Sequence, residues 1–332
     1  MTAPPTSASA TPDAAPPWTV REFDVDFRGH RTAVRTSGEL GGARPLVVLH
    51  GGPGCTMDYV LAVADLAGRG TPVVHYDQLG CGRSQHLPDA PAESWTPQLF
   101  LDQLDAVLAA LGIDDDYDLL GQSWGGMLAA EHAVRRPAGL RHLVIANSPA
   151  SMRTWVAEAG RLREQLPADV RRALDEHEAA GTTGSQEYLA ATAEFYARHV
   201  CRVQPMPPEV ARTFAWIDED PTVYHTMNGP TEFHVVGTLR DWTIEDRLPA
   251  VAVPTLVVNG RHDEATDACV APYVERIPGA RWVRFEDSSH MPHVEERELF
   301  MDTVAAFLAD APAGTSTGTS TGTPAEPQSP GA

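Results

Sequence analysis

Residues 121–125, Gly-Gln-Ser-Trp-Gly, place a serine between two glycines at a point where the local pattern changes. An apolar run at 117–120 precedes this segment and a helical pattern at 127–136 follows it. Small residues beside a serine let a strand and a helix approach closely at a strained turn, which leaves the hydroxyl exposed. The alternative is a glycine-rich turn with an ordinary serine. The rest of the chain favours a nucleophile at Ser123.

A serine nucleophile needs a histidine as its base and a carboxylate that orients the histidine. Asp263 follows a strand pattern at 254–259, and His290 follows another at 280–285. Serine, acid and histidine, each after a separate strand, is the chain order of an α/β-hydrolase, in which the three loops open at one edge of the sheet. We therefore predict Ser123 as nucleophile, Asp263 as orienting acid and His290 as base.

Nearby residues leave alternatives open for two of these roles. His293 is a second candidate for the base, and Asp267 is a second candidate for the acid. Each is expected instead to be a surface residue of the following helix. His262 is expected to belong to the loop structure and to have no chemical role.

Acyl transfer also requires N–H donors for the oxyanion that develops on the carbonyl. The segment 50–54, His-Gly-Gly-Pro-Gly, follows an apolar run at 45–49, where hydrolases of this fold place one such donor. A tight turn is the alternative interpretation of these glycines. We predict the backbone N–H groups of Gly52 and Trp124 as the donors, each lowering the barrier by about 3 kcal/mol.

Composition narrows the range of functions. The 332 residues, 42% of them hydrophobic, are enough for one large core with an inserted subdomain. A formal net charge of -20 argues against nucleic acid and anionic membranes as partners. All 25 basic residues are arginine, which excludes a lysine Schiff base, a Ser-Lys dyad and a P-loop lysine. The four cysteines form no CxxC pair, and we expect neither a metal nor a cofactor.

The two ends of the chain differ in composition from the rest. Residues 1–17 are rich in Ala, Pro, Ser and Thr and lack the charged and apolar regions of a signal peptide. Residues 313–332 contain repeated Thr-Ser-Thr-Gly units. Both ends are predicted to be disordered tails. No apolar run approaches transmembrane length, so a cytoplasmic location with reduced cysteines is expected.

Between the tails, strand and helix patterns alternate. Strand patterns occur at 19–27, 30–36, 45–49, 72–76, 117–120, 141–147, 254–259 and 280–285. Helical patterns occur at 97–111, 127–136 and 294–310, and the stretch from 149 to about 240 is helical and polar, with breaks at Pro167, 181–184 and 205–208. The first two strand patterns alternate apolar and polar residues, as a half-buried antiparallel hairpin does. The later short apolar runs are typical of strands covered on both faces.

This alternation predicts an α/β-hydrolase fold, a mostly parallel eight-stranded sheet with an inserted helical cap. The core comprises residues 18–148 and 241–312, and the cap comprises 149–240. The cap is expected over the carboxyl edge of the sheet, where open α/β sheets bind their ligands.

Three motifs in this order carry a family resemblance. The segments 50–54 (His-Gly-Gly-Pro-Gly), 76–84 (Tyr-Asp-Gln-Leu-Gly-Cys-Gly-Arg-Ser) and 121–126 (Gly-Gln-Ser-Trp-Gly-Gly) together resemble the proline iminopeptidase family of α/β-hydrolases. The likeness is greatest to the branch with the tricorn-interacting aminopeptidase and L-amino-acid amidases, and it covers nearly everything between the tails. It implies a serine hydrolase that acts on substrates with a free amino group.

Two glutamates are singled out by the same resemblance. The segment 228–233, Asn-Gly-Pro-Thr-Glu-Phe, is similar to the family segment whose glutamate binds the substrate's amine, which implies that role for Glu232. Glu264 resembles the family's second amine-binding glutamate. Two carboxylates can accept charge-assisted hydrogen bonds from an α-ammonium group, and they repel each other until a cation arrives. Each glutamate by itself could equally be an exposed loop acid.

We therefore expect a serine aminopeptidase or amidase that takes a small peptide or amino-acid amide and works through an acyl-enzyme. Residues 289–293 and 149–219 match no further family motif, so the preferred first side chain is left open, as is the oligomeric state. The alternatives are a general esterase or lactonase, an acyl-transferring biosynthetic enzyme, and a binding protein that has lost the chemistry. An epoxide hydrolase or dehalogenase would need a carboxylate at position 123.

Overall fold

A computed structural model describes residues 16–310 of the chain. The predicted tails lie outside these residues, apart from positions 16 and 17. Eight strands are found in the described part: β1 Val20–Phe27, β2 His30–Ser37, β3 Leu46–Leu49, β4 Val73–Tyr76, β5 Tyr117–Gln122, β6 Leu140–Ala146, β7 Thr255–Gly260 and β8 Arg281–Phe285.

The eight strands form one sheet in the order β1-β2-β4-β3-β5-β6-β7-β8. β1 pairs antiparallel with β2, and β2 pairs antiparallel with β4. All remaining neighbours are parallel. The predicted α/β-hydrolase fold with a mostly parallel eight-stranded sheet is therefore confirmed.

Helices connect and cover the strands. They are α1 Pro97–Leu111, α2 Trp124–Val134, α3 Met152–Arg163, α4 Ala168–Ala180, α5 Gln186–His199, α6 Pro208–Glu219, α7 Thr222–Met227, α8 Asp267–Arg276, α9 Pro292–Glu295 and α10 Arg297–Ala309. Five of them, α3 to α7, lie between β6 and β7, within the segment predicted as a cap.

Helix α1 has the bounds that its sequence predicts. The side chain of Thr96 caps the first turn by accepting a hydrogen bond from the N–H of Leu99. Pro97 occupies the first helical position, where its missing N–H costs nothing. Gly112 ends the helix with a φ of 64°, a conformation that glycine adopts without strain.

Three segments differ from the predicted pattern. Residues Met57–Arg69 form a 3-10 helix that the strand and helix patterns did not indicate. Residues 228–240, predicted as helical, form turns, because Gly229 (φ 149°) and Pro230 do not continue a helix. The last predicted helix is divided into α9 and α10, with Glu296 between them at φ -124°.

The parallel strands β3 to β7 are buried on both faces, whereas the edge strand β8 is largely exposed. Neighbouring residues of one strand point to opposite sides of the sheet, so Val47 packs in one apolar cluster and Val48 in the other. The first cluster contains side chains of α1, α2 and α8, and the second contains side chains of the 3-10 helix Met57–Arg69 and of α10. The sheet is thus the middle of three layers, which fixes the positions of its carboxyl ends.

No helix within 16–310 is both long and apolar enough to cross a membrane. The four cysteines, Cys55, Cys81, Cys201 and Cys269, are free and buried.

The glycines at 121 and 125 let α2 lie directly on the sheet. A Cβ atom on Gly125 would lie 2.1 Å from the carbonyl oxygen of Leu49, and one on Gly121 would lie 2.0 Å from the carbonyl oxygen of Gly125. Backbone atoms occupy both places, so a side chain at either position has no space. The close approach sets the height of Ser123 above the sheet.

We predict that Gly125→Ala lowers the free energy of unfolding by about 1–3 kcal/mol or more, because the new methyl group forces α2 away from β3. Denaturant unfolding of the full chain measures this change. Gly160→Ala in α3 is the matched control, since no atom lies within 4 Å of a Cβ there. We expect the control to raise stability by about 0.5–1 kcal/mol. Equal effects of the two substitutions would contradict the steric argument.

Candidate active site

Ser123 lies at a strained turn between β5 and α2. Its φ and ψ are 57° and -125°, a left-handed region that non-glycine residues rarely adopt. The turn is held from both sides: the N–H of Ser123 donates to the carbonyl of Ala146 at 2.9 Å, and its carbonyl accepts from the N–H of Gly126 at 2.8 Å. The strain and these hydrogen bonds fit the nucleophile turn that the motif predicted.

The structure brings His290 and Asp263 together. The Nδ1 atom of His290 lies 2.7 Å from Oδ1 of Asp263, and both side chains are buried. A carboxylate only accepts hydrogen bonds, so Nδ1 carries the proton. Burial lowers the pKa of His290, but the charge and hydrogen bond of Asp263 outweigh burial and raise that pKa above its ordinary value. Asp263 is therefore placed to orient the ring and to stabilise its protonated form.

Asn147, at the end of β6, holds the carboxylate of Asp263 in place. Its Nδ2 atom donates to Oδ2 of Asp263 at 2.5 Å, while the N–H of Ala265 donates to Oδ1 at 2.8 Å. Asn147 itself has a φ of 52°, a conformation that asparagine tolerates better than most residues. Sequence reasoning missed this residue, and its position directly after a strand was the available signal.

The loop that carries His290 is fixed by the glutamate Glu295. This side chain accepts hydrogen bonds from the N–H of Ser289 at 2.7 Å, from the hydroxyl of Ser289 at 2.8 Å and from the N–H of Met291 at 3.3 Å. Three donors from the two residues beside His290 thus converge on one carboxylate. Glu295 was not indicated by any sequence motif.

Gln122 connects the nucleophile strand to two other loops. Its Nε2 donates to the carbonyl of His290 at 2.9 Å, and its Oε1 accepts from the hydroxyl of Tyr59. The same Tyr59 oxygen accepts from the N–H of Gly51 at 2.7 Å. The residue before the nucleophile therefore joins the predicted oxyanion loop to the histidine loop.

The segment 50–54 runs against the nucleophile. A Cβ atom on Gly51 would lie 2.9 Å from Cβ of Ser123, so only glycine fits this approach. Gly52, at φ 106°, and Trp124, the first residue of α2, line one cavity together with Ser123. Among residues 16–310, neither of their amides donates to a protein acceptor. Both N–H groups are thus available to an oxygen beside Ser123, and their role as donors remains a prediction.

Two small cavities meet at Ser123. They share Gly52, Ser123 and Glu232, and their empty volumes are about 260 and 290 Å³. The first is lined further by Trp124, Met127, Pro149, Met152, Trp155, Asn228 and Leu239. The second is lined further by Cys55, Tyr59, Gln122, Val200, Thr213, Phe214, His290 and Met291. Apolar side chains predominate in the first, whereas the second also contains the polar groups of Tyr59, Gln122, Thr213 and His290.

Glu232 reaches the site from the turn after α7. Its Oε1 atom accepts a hydrogen bond from the hydroxyl of Tyr224 at 2.7 Å, and its carbonyl accepts from Nε1 of Trp155 at 2.7 Å. Burial raises the pKa of Glu232, although the hydrogen bond from Tyr224 and the charge of His290 partly oppose this. The side chain is a wall of both cavities, so the alternative of an exposed loop acid does not apply to it.

Glu264 lies deeper, directly after Asp263. It is 1% exposed, and neither carboxyl oxygen has a hydrogen-bond partner within the described part of the chain. Its Oε1 atom lies 3.8 Å from Nε2 of His290. Burial first, and then the charges of Glu232 and Asp263, raise the pKa of Glu264 well above its ordinary value. Both predicted amine-binding carboxyl groups thus lie beside the predicted base.

The alternative candidates His293, Asp267 and His262 make other contacts. His293 is buried, not on the surface as expected; its Nε2 atom lies 3.0 Å from the carbonyl oxygen of Tyr59, and burial lowers its pKa to about 3. Asp267 opens α8 and accepts a hydrogen bond from Arg284 at 2.8 Å. The carbonyl of His262 accepts from Nδ1 of His199 at 2.9 Å, as a loop residue does. None of the three contacts the Asp263–His290 pair in the way that a triad requires.

The similarity of this chain to known proteins agrees with the fold and with the geometry of the site. A family model described as the alpha/beta hydrolase fold matches residues 44–297. The proline iminopeptidase of Saccharolobus solfataricus is 38% identical over 268 residues, which cover 81% of this chain and 86% of that protein.

Two solved structures are more similar still. VinJ is 55% identical with a TM-score of 0.86, over 87% of this chain and 98% of that chain. A proline iminopeptidase of Mycobacterium smegmatis is 56% identical with a TM-score of 0.81, over 87% of this chain and 97% of that chain. With these relatives and this fold, the chain belongs to the proline iminopeptidase family of α/β-hydrolase enzymes.

Proposed function

We propose that the protein is a serine aminopeptidase or amino-acid amidase that releases the first residue of a small peptide or amide with a free amino group. The observation that carries this proposal is a pair of buried carboxyl groups: Glu232 lines the two cavities at Ser123, and Glu264 lies 3.8 Å from Nε2 of His290. A site for esters or blocked amides gains nothing from two buried acids, because each costs free energy until a cation pairs with it.

The proposed reaction begins with attack of the Ser123 hydroxyl on the carbonyl carbon of the first residue. His290 accepts the serine proton at Nε2 and then donates it to the leaving amine, while Asp263 keeps the proton of Nδ1 in place. The N–H groups of Gly52 and Trp124 donate to the oxyanion. Water, deprotonated by His290, then attacks the acyl-enzyme and releases the amino acid.

The two glutamates would set where the chain is cut. An ammonium group between Glu232 and Glu264 is held close to Ser123, so only one residue fits between the free amine and the scissile carbonyl. The ammonium has three donors, and the two carboxylates accept them as charge-assisted hydrogen bonds. This arrangement supports an exopeptidase and disfavours internal cleavage.

We predict that free-amine substrates react and acetylated ones do not. Aminoacyl anilides and amides with several first residues are assayed in pairs, each with a free and an acetylated amine. Acetylation is expected to lower kcat/KM by at least about 30-fold, which corresponds to about 2 kcal/mol for leaving buried carboxylates unpaired. Ser123→Ala, assayed in parallel, should abolish turnover.

The same assay can contradict the proposal. If acetylated amides or simple esters react as well as the free-amine substrates, the protein is a general esterase or lactonase. If an added amine captures the acyl group in preference to water, the protein is an acyl-transferring enzyme. If a fluorophosphonate fails to label folded protein at Ser123, the site is not a serine hydrolase.

The contact between Asn147 and Asp263 generates a second prediction. Asn147→Gly keeps a residue that adopts positive φ and removes the Nδ2 donor, so the effect of the hydrogen bond is separated from backbone strain. We expect kcat to fall about tenfold or more, the equivalent of one hydrogen bond to a charged group, with KM nearly unchanged. A change in KM alone would show that Asn147 acts on substrate binding and not on the Asp263–His290 pair.

A further inference from the structure

Glu264 is a buried carboxyl group whose charge nothing nearby compensates. Neither oxygen has a hydrogen-bond donor among residues 16–310, and the nearest basic group is the imidazole of His290, whose Nε2 atom lies 3.8 Å from Oε1. Its partner Glu232 at least accepts a hydrogen bond from Tyr224. An ionised carboxylate in such a place is unfavourable, and such groups usually take up a proton.

The groups that face Glu264 come from every surrounding element. Asp263 precedes it on the β7 loop, Glu232 lies on the turn after α7, and His290 lies on the β8 loop. The remaining polar neighbours are Tyr196 of α5 and Cys55 after β3, and the N–H of Glu264 donates to the carbonyl of His199, also of α5. Tyr224 of α7 donates to Glu232. Two of these groups are carboxylates and none is an arginine. The neighbours therefore add negative charge near Glu264.

The net charge of the site is the same before and after an ammonium group binds, provided that Glu264 releases its proton. With Asp263 and Glu232 ionised and Glu264 protonated, the empty site carries two negative charges, not counting His290, whose charge is taken as the same in both states. If a bound ammonium adds one positive charge and Glu264 loses its proton, the site again carries two negative charges. The ammonium then takes the place of the proton, and no net charge is buried.

We propose that Glu264 carries a proton in the empty site and releases it to solvent when the substrate's ammonium group binds. Recognition of the free amine is then an exchange of one cation for another. The bond that breaks is the O–H of the Glu264 carboxyl group, and its proton passes to the buffer; no oxidant or further reactant takes part. This inference rests on the proposed function, because it assigns a protonation change to the same amine site.

The exchange has a consequence for specificity. A neutral or acetylated amine cannot replace the proton, so Glu264 stays a neutral acid and offers only one weak donor and acceptor to such a ligand. A bound ammonium group contacts two carboxylates, because its positive charge favours ionisation of Glu264. Selectivity for the free amine thus arises when the ligand binds and Glu264 ionises. Glu232 and Glu264 need not both be charged in the empty site.

Calorimetry of amide binding counts the released protons. Full-length Ser123→Ala is titrated with L-prolinamide and with L-leucinamide at about pH 6, where α-amino groups of ordinary pKa near 8 are protonated. The titration is repeated in buffers that differ in ionisation enthalpy, and the slope of the heat against that enthalpy gives the proton number. We expect close to one proton released per bound amide.

Variants locate the source of the proton. Adding Glu264→Gln should abolish the release and weaken binding, whereas Glu275→Gln, an exposed residue of α8, should leave both unchanged. Binding without proton release overturns the exchange and leaves the aminopeptidase proposal intact. Release that persists in Glu264→Gln assigns the proton to another group and also overturns it. If neither amide binds and free-amine substrates are not hydrolysed, both proposals fail.

The pH dependence of stability tests the protonated carboxyl group without any ligand. In the unfolded chain Glu264 ionises near its ordinary pKa of about 4.3, whereas burial keeps it protonated to higher pH in the folded protein. Wild type therefore loses stability through this group as the pH rises, and Glu264→Gln does not. We expect the thermal midpoint of Glu264→Gln, relative to wild type, to rise between about pH 4 and about pH 8. An offset that does not change with pH would overturn the proposal.

Discussion

Burying carboxyl groups beside a base is the constraint on which the whole site depends. Glu232 and Glu264 are both buried, and Glu264 has no hydrogen-bond donor within residues 16–310. Removing a carboxyl group from water without a hydrogen-bond partner costs free energy even when the group is protonated, so the surrounding fold must be stable enough to tolerate it. A site that accepted any acyl group would be more stable with apolar residues at these positions. The cost therefore points to a cationic ligand.

The rigidity that tolerates this cost comes from backbone packing around Ser123. Glycines at 51, 121 and 125 each occupy places where a Cβ would contact another loop, strand or helix at less than 3.0 Å. These contacts leave the strand, the helix and the oxyanion loop in one arrangement, so the unusual φ of Ser123 persists. The sheet then supplies the remaining order, because β7 and β8 end at the same edge as β5 and place Asp263 and His290 there.

Much of this arrangement was predictable from sequence because it follows from local patterns. Buried runs predict strands, and residues after strand ends meet at one edge of a parallel sheet, so Ser123, Asp263 and His290 could be named without coordinates. The resemblance, and not the pattern, supplied Glu232 and Glu264.

The residues that support the site could not be found in the same way. Asn147 lies 116 residues from the carboxylate it holds, and Gln122 lies 168 residues from the carbonyl it contacts. Such contacts depend on how loops fold back on one another, which no local pattern records. The same reason explains His293: its place in the sequence suits a helix surface, yet packing against the 3-10 helix buries it.

The proposed amine-binding residue Glu232 and the predicted triad are located on different parts of the chain. Ser123, Asp263 and His290 all follow sheet strands, whereas Glu232 belongs to the helical segment between β6 and β7. That segment is docked on the 3-10 helix Met57–Arg69 and its cap by two contacts of α6: Arg212 donates to Asp58 at 3.0 Å, and the hydroxyls of Thr213 and Thr56 are 2.5 Å apart.

Displacing the helical segment would therefore move Glu232, which belongs to it, relative to Asp263 and His290, which follow β7 and β8. The position of Glu232 depends on the docking of one part of the chain on another, whereas the triad depends on the sheet and on the loops that Asn147 and Glu295 hold. Under the proposed function, changes in the helices between β6 and β7 are therefore expected to alter which amines are accepted more than how the acyl group is transferred. Glu264 adjoins the triad, because it follows Asp263 in the chain and lies 3.8 Å from Nε2 of His290.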